Sequence, residues 1–218
     1  GSAAAVQSIS FDETAADGYS PAYALGKIAN GENGWSVQNQ TVNQQIENVG
    51  GAHGKVWHIV NNPTFGSFGD MPQTPELSVK VGEPGTPGAT TDHMTYSLDF
   101  KAVSGTPDGS RIEIDFANSN GQDRESFMAL EYTADGIRLV ANEPLAQAGE
   151  HWAGGDADAD FNFGTGNRTL VDGLDAGWHN IQLTMVANPG GDNDVIQVYV
   201  DGQFVGQTTT FETYHDYA

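Results

Sequence analysis

The chain has 218 residues, with 29 Asp and Glu against 8 Lys and Arg, giving a formal charge of −21 although only 17% of the residues are charged. Eight scattered cations cannot form the basic stripe that neutralises phosphates, so nucleic acids and anionic membrane surfaces are poor partners, and cations or neutral molecules suit the chain better. With no Cys, disulfide frameworks, Cys-based zinc sites and thiol catalysis are excluded, while 28 Gly, about twice the usual ~7% share, favour tight turns over helices.

From the N-terminus, Gly1 and Ser2 read as the scar of an expression tag, and residues 1–8 as that scar and a flexible lead-in without the regions of a secretory signal. No apolar run approaches the 18 residues of a membrane span, so no membrane insertion is expected. Residues 44–49 suggest a single helical turn, and residues 61–91 an irregular stretch too long for a hairpin loop. Strand signals then dominate. Residues 94–103 (MTYSLDFKAV), 111–117 (RIEIDFA), 126–133 (SFMALEYT) and 136–141 alternate apolar and polar side chains, as do 179–186 (HNIQLTMV) and 194–201 (DVIQVYVD). Each such strand has one dry face and one wet face.

Tyr132-Thr133-Ala134-Asp135-Gly136 and Val200-Asp201-Gly202-Gln203-Phe204 are the sharpest hairpin signals, the second with Asp-Gly between apolar flanks. Residues 141–172 form a second long irregular stretch. No repeat of fixed period occurs, and no window of a dozen residues carries a 3.6-residue apolar period. The expected fold is all-β, a two-sheet antiparallel sandwich spanning residues 1–218 as a single domain.

Gly177-Trp178-His179-Asn180-Ile181-Gln182-Leu183-Thr184-Met185, followed after a loop by Val195 to Val205 (VIQVYVDGQFV), resembles the paired closing strands of laminin-G-like and concanavalin A-like jelly rolls. Tyr23-Ala24-Leu25-Gly26, Asn33-Gly34-Trp35 and Thr64-Phe65-Gly66-Ser67-Phe68-Gly69-Asp70 are similar to bacterial secreted or cell-surface proteins of that superfamily. The resemblance implies a jelly-roll topology and an extracellular location. It also implies one more strand after the segment matching Phe211 to Tyr214, so the sandwich is expected to lack its final strand and to offer an open sheet edge for self-association. The architecture hosts lectins, glucanases, lyases and adhesion modules alike, so it does not choose among their chemistries.

Three constellations carry chemistry. Glu113-Ile114-Asp115-Phe116-Ala117-Asn118 resembles the Glu-x-Asp-x-x-Glu strand of laminarinase-type glucanases, where the first Glu is the nucleophile and the last the general acid/base. Glu113 and Asp115, two apart on a strand, face the same way about 6.6 Å apart. Asn118 stands where the third carboxyl belongs, and an amide cannot supply the leaving group's proton. Glu113 and Asp115 are therefore weak catalytic candidates, and the solvated face of an amphipathic strand is the simpler reading.

Asp156, Asp158 and Asp160 alternate along a loop and can converge on Ca²⁺, which takes six to eight oxygens. The loop is not an EF-hand, since Phe161 replaces its Gly and Asn167 its bidentate Glu; Glu150, Asn162 or carbonyls would complete the shell, and a solvated acidic loop is the alternative. Beside it, Trp152 in a Gly-rich, acidic loop can stack on a sugar ring, with His151 and Asn162 as neighbouring polar contacts, or can fold back to cap the sandwich. Trp178 is expected in the core, and Trp35 and Trp57 in packing roles. The six His show no metalloprotease spacing, and no phosphate-binding Gly loop occurs.

The leading expectation is a non-catalytic carbohydrate-binding or adhesion module of a secreted or cell-surface protein, calcium-organised, with neutral glycans or polysaccharide as partners. The alternatives are a structural subunit of an extracellular matrix, surface layer or filament completed by strand exchange, and a glycoside hydrolase or polysaccharide lyase of the same superfamily.

Overall fold

A computed structural model describes residues 11, 23–37, 43–60, 72–73, 81–103, 111–119, 124–141, 168–190 and 194–209. These residues are all-β, with antiparallel pairing between every pair of named strands. The chain divides into two compact units, Gly1–Val79 and Lys80–Ala218.

The first unit carries a 3-10 turn at Glu32–Gly34, strand β1 (Ser36–Val37), the hairpin of β2 (Asn43–Gly50) and β3 (Gly54–Val60), and β4 (Pro72–Gln73), which pairs with β1. Residues 44–49, expected as a helical turn, belong instead to β2. Their alternation decides the matter: Gln44 and Ile46 point inward and are 2% exposed, while Gln45 points out. Tyr23, Ile28, Trp35, Val37 and Ile46 form a small core against which Phe11 and Trp57 pack. Its polar atoms are paired, as buried polar groups must be. Trp35 Nε1 donates to the Tyr23 hydroxyl at 2.7 Å, and the Gln44 amide both accepts from the Ile28 N–H and donates to the Ile28 carbonyl. Trp35 and Trp57 thus take the packing roles expected of them.

Among its described residues the second unit has eight strands: β5 (His93–Lys101), β6 (Arg111–Ser119), β7 (Arg124–Thr133), β8 (Gly136–Ala141), β9 (Arg168–Leu174), β10 (Trp178–Val186), β11 (Val195–Val200) and β12 (Gln203–Thr209). They form two four-stranded sheets, ordered β5-β10-β11-β12 and β6-β7-β8-β9. Both sheets contribute to one core, in which Met128 and Leu139 of one meet Ile181, Leu183, Ile196 and Val198 of the other, all at most 1–2% exposed. Tyr96 on β5 packs edge-on against Phe116 on β6 at 6.0 Å. At the other margin, a Cβ on Gly206 of β12 would lie 2.9 Å from Leu170 Cδ2 of β9. This is the arrangement of a β-sandwich, each strand turning its apolar residues to the opposite sheet.

β5 shows the period most clearly, with strictly alternating exposure from His93 to Lys101. The same alternation corrects the expectation for Trp178. In β10 the odd positions Ile181 and Leu183 are buried, so Trp178 falls on the even, outward face and is 37% exposed.

The β11–β12 hairpin closes on two residues, Asp201 (φ 50°) and Gly202 (φ 80°), with Val200 and Gln203 paired beside them. Positive φ at both central positions is the type I′ geometry that matches strand twist. A Cβ at Gly202 would meet open space, so its conformation is the whole objection to a side chain there. Gly202→Ala is expected to lower stability by about 1–2 kcal/mol, the cost of left-handed backbone for an L-residue, and Gly202→Asn by less. Chemical denaturation of the two variants checks this. Equal stability of Gly202→Ala and the parent would rule out the I′ turn.

Candidate functional site

The face of sheet β5-β10-β11-β12 that looks away from the core is a grid of uncharged polar groups with aromatics along its margins. Register fixes the rows. Ser97, Gln182, Tyr199 and Phe204 stand in one row across the four strands, and Thr95, Thr184, Gln197 and Gln207 in the next. At about 4.8 Å per strand, a row spans roughly 14 Å. Phe204 is 58% exposed and meets the Tyr199 ring edge-on, 5.6 Å between centroids, while the Tyr199 hydroxyl reaches Gln197 Oε1 at 3.3 Å. At the opposite corner Trp178 lies across from Lys101. Between them Asn180 donates from Nδ2 to Asp99 Oδ1 at 2.7 Å and Ser97 Oγ at 2.8 Å, which holds two polar groups of β5 in fixed orientation. Of the residues in β5, His93, Asp99 and Lys101 belong to this face, and the two central rows contain no Asp, Glu, Lys, Arg or His.

The rim of this face is pinned by one histidine. His179, at the start of β10, points to the core side, stacks at 5.6 Å on Phe100, and has a side chain 10% exposed. Its Nδ1 lies 2.6 Å from Asp201 Oδ2 in the β11–β12 turn, and its Nε2 lies 3.0 Å from Asp175 Oδ1 and 3.1 Å from the Asp175 carbonyl. Asp201 also accepts the Asn180 N–H, and Asp175 accepts the Gly177 N–H. Hydrogen bonding to Asp201, with further help from Asp175, holds the His179 imidazole above its ordinary pKa. Asp201 is held low by His179 and then by the Asn180 N–H, and Asp175 by the Gly177 N–H and then by His179. The two carboxylates sit at opposite nitrogens of one ring, an arrangement that favours its imidazolium form, and they do not converge on a metal. Among the described residues, no group of three His, Asp or Glu is arranged to hold a metal ion.

Glu113 and Asp115, the carboxylates singled out on β6, are both exposed and share the outward face of the other sheet. The pairing register adds a residue that the linear motif does not contain. Glu131 on β7 is directly opposite Glu113, and Arg138 on β8 is directly opposite Glu131. Glu131 is 6% exposed, and the Arg138 Nε donates to its Oε2 at 2.6 Å. Asp115 faces Ala129 instead, and Asn118 pairs in register with Glu125 of β7. A search for a third acid along one strand misses Glu131; reading the hairpin after Thr133 as a two-residue turn, which places Glu131 and Arg138 opposite each other, is the signal that finds the pair.

Asp156, Asp158 and Asp160, together with His151, Trp152 and Asn162, lie outside the described residues. Compared with known proteins, the chain matches no family model, no curated protein and no solved structure.

Proposed function

We propose that this protein is a non-catalytic carbohydrate-binding or adhesion module of a secreted or cell-surface protein, that its sandwich is a jelly roll of the concanavalin A-like, laminin-G-like type, and that it takes neutral glycans on the outer face of sheet β5-β10-β11-β12. The observation that carries this reading is the uncharged row Ser97, Gln182, Tyr199 and Phe204 with its parallel row of Thr and Gln. A sugar presents hydroxyls that both donate and accept, alongside an apolar C–H face. Amides and hydroxyls match the first in both senses, and an aromatic pair, Phe204 exposed and Tyr199 partly so, matches the second at small entropic cost. A chain of net charge −21 repels sulfated and uronate polymers and leaves neutral ones as its glycans. The loop holding Asp156, Asp158 and Asp160 is proposed to bind Ca²⁺ and to present Trp152, His151 and Asn162 to the same class of ligand.

A neutral-glycan array, run with calcium and with chelator, tests both halves. Retention of at least one neutral glycan is expected, and so is a higher melting temperature with calcium, because an ion that binds the native state alone stabilises it by mass action. Silence across all neutral glycans overturns the first half, and a melting temperature indifferent to calcium the second.

The placement of Glu131 opposite Glu113 favours a second reading, a glycoside hydrolase acting from the other sheet. Cross-strand neighbours have Cβ atoms about 4.5–5.5 Å apart, close to the carboxyl separation of retaining enzymes. Reducing-sugar release that disappears in both Glu113→Gln and Glu131→Gln supports it, and release unaffected by either retires it.

A further inference from the structure

We infer that His179 is a pH-operated latch at the rim of the sugar-binding face, closed as imidazolium and open as neutral imidazole. The inference rests on the carbohydrate-binding reading for its consequence and on geometry for its mechanism. Both ring nitrogens face oxygen acceptors, Asp201 Oδ2 on one side and the Asp175 carboxylate and carbonyl on the other. Only the cation donates from both nitrogens; a neutral imidazole carries one N–H and presents a lone pair at the other nitrogen. Loss of the proton therefore breaks one arm of the latch and turns it into a contact between acceptors. The shorter Asp201 arm keeps the remaining proton, and the longer Asp175 arm opens.

What each arm holds explains why the latch matters to the face. The Asp175 arm fixes residues 175–177, the three residues before Trp178, through the Asp175–His179 contacts and the Gly177 N–H bond. The Asp201 arm fixes the turn before Phe204 and, through the Asn180 N–H, the residue that orients Ser97 and Asp99. His179 is thus a positioning residue for Trp178. The charged groups that bear on its ring are Asp175 from the segment after β9 and Asp201 from the β11–β12 turn; β5 offers it the Phe100 ring, with Asp99 and Lys101 on the opposite face of that strand.

The direction with pH follows from the shifts. His179 is raised, so its contribution is complete below the unfolded histidine value, about 6.5, and is lost as pH rises through the higher folded value. Asp175 and Asp201 are lowered, so their contribution is complete above about 3.9 and is lost as pH falls through their folded values. The latch is fully closed between roughly pH 4 and 6.5.

The test is an NMR titration of the full chain from pH 5 to 9, following the His179 ring nitrogens, the Trp178 indole N–H and amide exchange at residues 175–177. The expected result is a His179 midpoint above that of a free histidine, with Trp178 and the 175–177 amides changing at the same midpoint. In Asp175→Ala, which removes the exposed side-chain acceptor that an Asn would keep, the Trp178 transition should vanish, and Asp175→Glu should restore it. A His179 midpoint at or below the free value overturns the latch, as does a Trp178 signal flat through the transition. Retention on immobilised soluble starch and hydroxyethyl cellulose is then measured across the same range. Retention that weakens several-fold with the His179 midpoint supports the link to binding. Retention that is strong but flat overturns that link. No retention on any neutral polysaccharide overturns the carbohydrate reading, while the NMR result still decides the latch.

Discussion

Leu183→Ala is expected to destabilise the second unit by about 2–5 kcal/mol, because removing buried methyl groups loses their transfer energy and leaves a cavity that closes only in part. Leu183 is 1% exposed on β10, an interior strand of its sheet, directly between Tyr96 of β5 and Val198 of β11. Its neighbours in the core include Met128 and Leu139 from the facing sheet, so no solvent can fill the gap. The melting temperature should fall by roughly 5–15 °C for a domain of this size. In urea the midpoint should drop while the slope is unchanged, the mark of lost stability with the same surface exposed on unfolding. Gln182→Ala, one residue earlier and on the opposite face, should change stability by no more than about 0.5 kcal/mol. Equal effects from the two substitutions would refute the assignment of faces in β10.

That assignment was legible in the sequence wherever alternation is unbroken. β5, β6, β8, β10 and β11 all fall on segments whose apolar residues recur every second position, and the facing of β10 follows from Ile181 and Leu183 alone. The same rule, applied strictly, places Trp178 outside; the expectation of a core Trp weighed residue type above phase. β9 was not legible, because its pairing with β8 shifts register twice and its exposure pattern has no period to read. β2 and β3 were obscured differently. Their unit has a small core, β3 is partly exposed along its length, and the buried face of β2 carries the polar Gln44, so no apolar alternation announces itself.

The candidate sites divide along the same line. A motif scan sees neighbours in the chain, such as Glu113 and Asp115. It does not see Glu131, whose relation to Glu113 exists only through register, nor the row from Ser97 to Phe204, whose members come from four strands and span more than a hundred positions. His179 was visible only as one of six His without ligand spacing; its meaning comes from Asp201, brought back by the I′ turn. The acidic excess also changes character. At Asp175 and Asp201 two of the 29 carboxylates are fixed by a histidine and by backbone N–H groups, so part of the charge is used internally to orient the rim of a face whose central rows are neutral.

Replacing both rings of the shelf, Tyr199→Ala with Phe204→Ala, is expected to weaken neutral-glycan binding more than any pair of polar substitutions on the same face. Aromatic anchors commonly carry 1–2 kcal/mol or more of a binding energy, and each 1.4 kcal/mol is tenfold, so the double variant should lose roughly 10- to 100-fold. The rings touch at 5.6 Å, so the losses should not add: once one ring is gone, its partner has lost the edge-on contact that holds it. Stability should change little. Phe204 is 58% exposed, and its removal alone should cost the fold about 0.5 kcal/mol or less. A lost affinity with a retained fold is the signature of a binding surface, and it separates this face from a merely structural one. Tyr199→Phe refines the result: it removes only the hydroxyl that reaches Gln197, so a large effect would assign that row's affinity to hydrogen bonding and a small one to stacking. Trp152→Ala is the competing variant. If it abolishes binding while the double shelf variant binds as the parent does, the sugar sits at the acidic loop and the sheet face is only a solvated surface.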